Sequence, residues 1–463
     1  MHNRRSRVSI DWILLSVFLS IVFIGWLMLY ASSYQGPGFW FELDSVVGRQ
    51  TLWMIVAAIS FIVFFTFNWR IWNSLAYPIF ILTVLSLIAV LLFGKEIKGA
   101  TSWFSVFGYT IQPSEFAKLG TSLGVAAFLS KPNLNIDNLK TILQISALVL
   151  IPTMLIFFQP DAGTAMIFLA FLFPLYRAGL NASLYLLGFS LIFIFIGSLL
   201  WSPFIMFIII LLGSFFFMIL NVKKSNVPIS VLILLSLFSY ASYSYLSYVW
   251  LLSIVLLSGI YFFYLLFKEG KYRAIGIAAS IIVTASFLSF GTQWSFDNIL
   301  KPHQRARINV WLKPHLSNPQ GDLYNIIQSK TAIGSGGFSG KGFLNGTMTK
   351  LNYVPEQHTD FVFSILGEEQ GFLGSLSLIL LFMFMLFRIS VIAERATFPF
   401  IRYYAYSIAG IIFIHFFINI GMTMGIMPII GIPLPLISKG GSSLVAFSIM
   451  MAILLKMDLS RSR

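Results

Sequence analysis

Long apolar runs alternate along the chain with short polar connections. A helix crossing the hydrocarbon layer needs about 20 mostly apolar residues. On that template the pattern predicts spans near 11–31, 49–69, 73–94, 113–130, 140–158, 161–177, 182–200, 203–221, 228–247, 249–267, 273–290, 361–388, 402–427 and 442–457. The stretch 228–267 is too long for one crossing and divides near Ser247. The segments 113–130 and 161–177 are short and begin with polar residues, so they fit the template least well. One interval stands apart. Residues 291–360 are polar and rich in Gly, Pro and Lys, and loops of that length are usually functional or disordered. Its apolar clusters (Ile326-Ile327, Phe338, Phe343, Tyr353) predict order.

Charge tests the span pattern independently, because cytoplasmic loops carry an excess of Lys and Arg. With Arg4, Arg5 and Arg7 inside, the even connections must be inside too. They carry Arg70, Lys131 and Lys140, Arg177, Lys223 and Lys224, Lys268, Lys271 and Arg273, then Arg388, Arg395 and Arg402. The outward connections 159–160, 201–202 and 247–248 carry no charge of that sign. Both termini are therefore expected in the cytoplasm and 291–360 outside it. Composition agrees. Of 463 residues 58% are hydrophobic and only 10% charged, against roughly 25% charged in a soluble domain. A water-soluble enzyme and a disordered chain are both excluded, and an all-α polytopic membrane protein remains. No Cys is present, which excludes disulfides, thiolate nucleophiles and Cys-ligated metals, and five His argue against a His-rich metal site. The net charge of +14 is assigned to cytoplasmic loops, so no nucleic acid is expected as a partner. No cleavable signal peptide is expected, since the basic start runs into a full-length span.

Ionisable residues inside a membrane are costly and default to a functional reading. Glu115 and Lys118 in Gln112-Pro-Ser-Glu-Phe-Ala-Lys118 are spaced i,i+3 on one helix face. They read either as a self-neutralising ion pair or as site residues. Pro113 fits the first helical position, with Gln112 before it. Asp161, in Gln159-Pro-Asp-Ala-Gly-Thr164, reads as a helix N-cap or as part of the same polar face. Asp360, in Val354-Pro-Glu-Gln-His358-Thr359-Asp360-Phe361, reads equally as a cap, a general base or a cation ligand. Gly334-Ser-Gly-Gly337 and Ser339-Gly-Lys341-Gly342 form turns or a phosphate-binding nest, and the order is not that of a Walker A loop. Lys301, Arg305, Arg307 and Lys313 add cations suited to phosphate. The segment Pro428 to Ser443 is broken by Pro433 and Pro435, so it must be buried in protein or line a wet cavity. It adds Ser438, Lys439, Ser442 and Ser443. His415 and Asn419, i,i+4 within a span, read as helix-to-helix hydrogen bonders. The rest gather at the outer boundary, a cationic, hydroxyl-rich site with carboxylates that suits a lipid-linked phosphate substrate.

Taken together, Gln112–Lys118, Gln159–Ala165, Tyr324-Asn-Ile-Ile-Gln328-Ser329, Ala332–Gly337, Gly340–Gly342, Pro355–Phe361, Gly367–Gly371 and Pro433–Ser443 resemble the SEDS family (shape, elongation, division and sporulation). Gly340–Thr347 followed by Val354–His358 resembles its elongation branch more than its division branch. The resemblance implies a peptidoglycan glycosyltransferase of the bacterial cytoplasmic membrane, acting at the extracytoplasmic face. It implies polymerisation of lipid II with release of undecaprenyl diphosphate during elongation and shape maintenance. Asp360 matches the family's essential loop carboxylate. Glu115 and Lys118 match a pair facing the cavity. Gln328, Lys341, His358 and Thr359 fall within matching motifs and are expected, with Asp161, Arg305, Arg307 and the 438–443 residues, to bind substrate. A divalent cation, Mg or Mn, is implied, held by Asp360 or Glu115, and no organic cofactor. The implied partners are a class B penicillin-binding protein acting as transpeptidase, the elongation machinery and membrane lipids. The family core has ten spans. The expected organisation is therefore core helices in 1–200, about four extra spans in 201–290, the catalytic loop 291–360 and the last core helices in 361–463. Tyr240, Tyr243, Tyr245 and Tyr248 would belong to an interfacial belt in the extra spans. The competing readings are a lipid II flippase and a non-catalytic scaffold. The clustering of polar motifs at one face rather than at the midplane favours an enzyme.

Overall fold

In lipid, a helix satisfies its own backbone and only its side chains need neighbours. The computed structural model accordingly consists almost wholly of helices. It describes residues 10–34, 45–97, 99–106, 108–221, 260, 263–264, 266–300, 302–314, 317 and 322–460. The chain divides into two compact units, one of Met1–Asn181 with Leu316–Arg463 and the other of Ala182–His315.

The first unit opens with α1 (Trp12–Ser33), α2 (Val46–Thr66), the short α3 (Trp69–Ser74) and α4 (Ala76–Phe93). A three-stranded antiparallel meander follows, β1 (Lys95–Ile97), β2 (Ala100–Val106) and β3 (Tyr109–Ile111), with Phe104 opposite Ile111 and Val106 opposite Tyr109. The hydropathy pattern gave no warning of it, because it lies in a connection too short to show a period. The meander delivers the chain into α5 (Pro113–Leu129), which starts at the expected proline. Next come α6 (Leu139–Phe158), α7 (Ala162–Ile167), a tightened turn over Phe168–Phe171, and α8 (Leu172–Arg177).

The second unit holds α9 (Ala182–Leu200), α10 (Pro203–Asn221), α11 (Tyr272–Asn298) and α12 (Pro302–Leu312). Ile194, Met206, Ile210 and Ala285 pack together in it, and Ser198 donates to Ser289 Oγ at 2.9 Å. The spans expected at 228–247 and over most of 249–267, with the tyrosine belt, lie outside the described residues. Each of the other expected spans coincides with helix. This unit spans Ala182–His315.

The chain returns to the first unit with α13 (Asp322–Ser335), α14 (Thr347–Lys350), α15 (Val362–Arg395), α16 (Pro399–Thr423) and α17 (Gly441–Leu459). The interval 291–360 is thus largely helical in its described part. Burial explains why α5 and α7–α8 fit the spanning template poorly. Nearly every α5 residue is buried among other helices, as are most of α16 and α17, whereas α2, α4 and α6 leave many large apolar side chains exposed. Helices that face protein can carry polar groups; helices that face lipid cannot.

α15 is broken at Gly371, whose φ of 61° removes it from the helix. The glycine-rich loop repairs the break. Phe372 N–H donates to Gly337 O at 2.9 Å, while Lys341 and Gly342 N–H donate to the carbonyls of Glu368 and Glu369. At the far end of α15 the chain's two ends meet. Buried Asp11 pairs with Arg388 and Arg395, and Arg395 also pairs with buried Asp458 at the end of α17. Asp458→Asn should lower the unfolding free energy by about 2 kcal/mol, the order expected for hydrogen bonds to charged groups. Arg177→Gln, which breaks a half-exposed pair with Glu394, should cost under about 1 kcal/mol. Thermal unfolding of the purified chain in detergent compares the two, and the larger fall in midpoint belongs to Asp458→Asn.

Candidate active site

Four helices begin at one end of the first unit, and the polar motifs sit at their starts. Gln112, just before α5, donates through Nε2 to Asp161 Oδ2 at 2.8 Å, and its N–H approaches Ser442 Oγ at the start of α17 at 3.4 Å. Asp161 is the N-cap of α7, accepting from Thr164 N–H at 3.0 Å and Thr164 Oγ1 at 2.8 Å. The capping interpretation of Asp161 therefore holds, with the added tie to α5. Helix starts carry partial positive charge and unpaired N–H groups, so the starts of these four helices favour anions.

One turn into α5 the side chains turn inward. Lys118 Nζ lies 2.8 Å from Glu115 Oε2, the two side chains being 0% and 3% exposed. It also lies 2.8 Å from His415 Nε2 on α16 and over the Phe447 ring of α17 at 5.2 Å. His415 Nδ1 meets the Pro433 carbonyl at 3.2 Å. A carbonyl only accepts, so Nδ1 carries the proton and Nε2 accepts from the lysine. Lys118 thus joins α5, α16, α17 and the proline-broken segment.

The loop before α15 is held by its backbone. Three successive N–H groups, those of Thr359, Asp360 and Phe361, converge on the Glu356 carbonyl at 3.1, 3.0 and 3.2 Å. The following carbonyls are gripped in turn. His358 O accepts from Lys439 N–H at 2.8 Å, Thr359 O from Ser438 Oγ, and Asp360 O from Asn419 Nδ2 at 2.9 Å. Asn419 Nδ2 also donates to Ile432 O at 2.7 Å. The α15 cap position is Phe361, so Asp360 is not its N-cap. Its carboxylate lies beside Gly431, where an added Cβ would stand 3.5 Å from Oδ2; the φ of 76° at that glycine disfavours any other residue. His358 Nδ1 is 3.0 Å from Ser32 Oγ, and burial with the nearby Lys439 charge holds this imidazole below its ordinary range. Thr359 Oγ1 reaches Glu356 Oε2 at 3.1 Å.

The structure therefore brings together Asp360, His358, Thr359, Ser438 and Lys439, and connects them to Glu115 and Lys118. Asp161 and Ser442 stand at the neighbouring helix starts, with Ser443 in the first turn of α17. Gln328 lies on α13, beside Ser329, which donates to Thr423 O at 3.0 Å. Lys341 is bonded to Glu368 Oε1 at 2.6 Å and to Thr347 Oγ1 at 2.8 Å, so here the glycine-rich loop closes on α15. Arg305 and Arg307 lie on α12 in the second unit, where Arg305 Nε donates to Leu300 O at 2.9 Å. Gln112, His415 and Asn419 were not among the expected site residues. For His415 and Asn419 the signal was a polar residue in an otherwise apolar setting, twice on one face of α16; Gln112 stands among polar neighbours and gave no such signal.

A bundle of this kind, with its polar groups at the starts of four helices, defines an integral membrane protein with one anion-favouring end. The chain belongs to the cell cycle protein family of FtsW, RodA and SpoVE, which it matches over residues 11–212 and 204–463. It is a multi-pass protein of the bacterial cytoplasmic membrane. Peptidoglycan glycosyltransferase RodA of Treponema pallidum is 31% identical over 452 residues, covering 96% of this chain and 97% of the relative. Peptidoglycan glycosyltransferase MrdB of Escherichia coli is 29% identical over 455 residues, covering 96% and 94%. A solved structure described as "Structural coordination of polymerization and crosslinking by a peptidoglycan synthase complex" has the same fold. Its TM-score is 0.63 at 23% identity, over 98% of both chains.

Removing one partner of a buried ion pair leaves a charge without compensation, at about 3–5 kcal/mol. Lys118→Met should therefore destabilise the chain strongly, and Glu115→Gln added to it should restore much of the loss. Detergent unfolding midpoints should rank wild type first, then the double variant, then Lys118→Met.

Proposed function

We propose that this chain is a peptidoglycan glycosyltransferase that polymerises lipid II into glycan strands in cell elongation, with Asp360 as the catalytic carboxylate. The names of its relatives support the activity. The observation that carries the assignment to Asp360 is the grip on its main chain. Non-local donors hold the carbonyls of residues 358–360, and the carboxylate is held beside a glycine at the anion-favouring end. A loop fixed only to cap a helix would not need three such bonds.

In this reading the 4-hydroxyl of the acceptor sugar attacks the anomeric carbon of the donor. The new glycosidic bond forms as the bond to the diphosphate breaks, undecaprenyl diphosphate leaves, and the hydroxyl proton passes to Asp360. Helix starts and Lys439 hold the leaving diphosphate, whose developing charge they stabilise. Among the described residues no three ligating side chains converge into a cation cage. That fits an ion of the Mg or Mn type, which binds through one or two carboxylates together with substrate phosphates. Asp360 is the residue to hold it, since Glu115 is buried against Lys118, and when bound it would add charge stabilisation of the diphosphate. The face bearing the site is the extracytoplasmic one. The partner is a class B penicillin-binding protein, a reading supported by the described coupling of polymerisation to crosslinking in the structurally similar complex.

The test is lipid II polymerisation by the purified chain with its class B partner, with Mg or Mn present. Asp360→Asn should reduce the rate at least about 100-fold, the lower range for loss of a general base, while still folding and binding the partner. A wild-type rate from Asp360→Asn removes Asp360 from the chemistry. Absence of polymer from the wild-type complex would move the assignment to transport or scaffolding.

A further inference from the structure

We infer that His415 and Asn419 form a positioning strut, one helical turn apart on α16, that ties the buried Glu115–Lys118 pair to the main chain of Asp360. The inference rests on the proposed role of Asp360 and assigns a function to two residues outside the site motifs.

The geometry is a continuous chain of contacts. Lys118 meets His415 at 2.8 Å, and His415 meets the Pro433 carbonyl at 3.2 Å. The adjoining carbonyl, that of Ile432, accepts from Asn419 at 2.7 Å, and the same amide nitrogen donates to Asp360 O at 2.9 Å. Ile432 follows Gly431, whose backbone lies against the Asp360 carboxylate. The segment that borders Asp360 and the residue that fixes Asp360 are thus anchored at two successive positions of one helix. α16 is anchored through His415 to a buried ion pair.

Two features separate this from ordinary helix packing. First, both partners of Asn419 are carbonyls, which only accept, so the amide orientation is fixed and both of its hydrogens are used. Its own Oδ1 is buried without a hydrogen-bond partner among the described residues. An asparagine that merely joined helices would satisfy both ends; this one serves as a double donor to two backbone segments. Second, His415 uses both ring nitrogens, accepting from a cation on one side and donating to a backbone carbonyl on the other. No apolar ring of the same size can do either. His415 and Asn419 act through Asp360, so they are positioning residues. Misplacement of a reacting group by about 1 Å can reduce turnover by as much as 100-fold.

The strut predicts which substitutions are tolerated. His415→Gln keeps one acceptor and one donor on a single side chain. His415→Phe keeps the ring and its packing against Phe447 but loses both hydrogen bonds. Asn419→Leu keeps the volume and loses both donors. With the purified full chain and its class B partner, His415→Phe and Asn419→Leu should lower kcat for lipid II polymerisation about tenfold or more, with KM within about twofold. His415→Gln should stay within about threefold of wild type. A packing role predicts the reverse order for the two His415 variants, and that order would overturn the strut.

Hydrogen–deuterium exchange supplies an arm that does not depend on the reaction. In Asn419→Leu the amides of Thr359, Asp360 and Phe361 should exchange at least about tenfold faster, with α17 unchanged, because local opening is read residue by residue. Wild-type exchange at those amides would overturn the proposal even if activity fell. Should Asp360→Asn polymerise normally, the catalytic assignment fails while the exchange result still decides whether the strut exists.

Discussion

A backbone that is neither helix nor strand can lie at membrane depth only if its carbonyls find donors inside the protein. Residues 428–440 are such a backbone, and the rest of the site depends on how that demand is met. Asn419 donates to the Ile432 carbonyl and His415 to that of Pro433, while Ser438 Oγ accepts from Leu434 N–H and donates, as Lys439 N–H does, to the 358–361 loop. Residues 438 and 439 thus donate to the carbonyls of the 358–361 loop, and Asn419 bonds to both stretches, which joins two segments about eighty positions apart in sequence.

The polarity of the bundle follows. Residues that cannot face lipid are drawn to helices enclosed by other helices, so α5, α16 and α17 carry the ionisable and amide groups while α2, α4 and α6 stay apolar outward. Of the inner helices, α5 and α17 start at the site and α16 ends there, so the N–H groups that favour an anion are those at the starts of α5, α7, α15 and α17. The ion-paired end lies opposite, at the close of α15 and α17.

Much of this was legible in the sequence, and the failures have physical reasons. The span pattern, the start of α5 at Pro113 and the pairing of Glu115 with Lys118 all rest on local rules, hydropathy, proline geometry and i,i+3 spacing. The family motifs located Asp360. The grip on residues 358–360 was invisible because its acceptors are backbone carbonyls and its donors, Lys439 N–H, Ser438 Oγ and Asn419 Nδ2, lie far along the chain. His415 and Asn419 were read correctly as hydrogen bonders within a span. Only His415 bonds to another helix, since the partners of Asn419 are loop carbonyls. The pairing of Lys341 with Glu368, 27 residues on, was not legible because it joins a loop to a helix far along the chain. The β1–β3 meander escaped because strands of three to seven residues are too short for a hydropathy period to register.

The clasp at the chain ends has a consequence for the order of assembly. Asp11 is synthesised before its partner Arg388, which lies 377 residues later. At about 5–20 residues per second, Asp11 waits roughly 20–80 s before that partner exists. Arg395 cannot bind Asp458 until α17 has been made. Throughout that interval the first helix holds a carboxylate with neither of these partners at its tip, which must remain among headgroups and water. The charge keeps that end of α1 from sinking into the bilayer while the later helices are inserted. The clasp is thus closed only once α17 has joined α1 and α15.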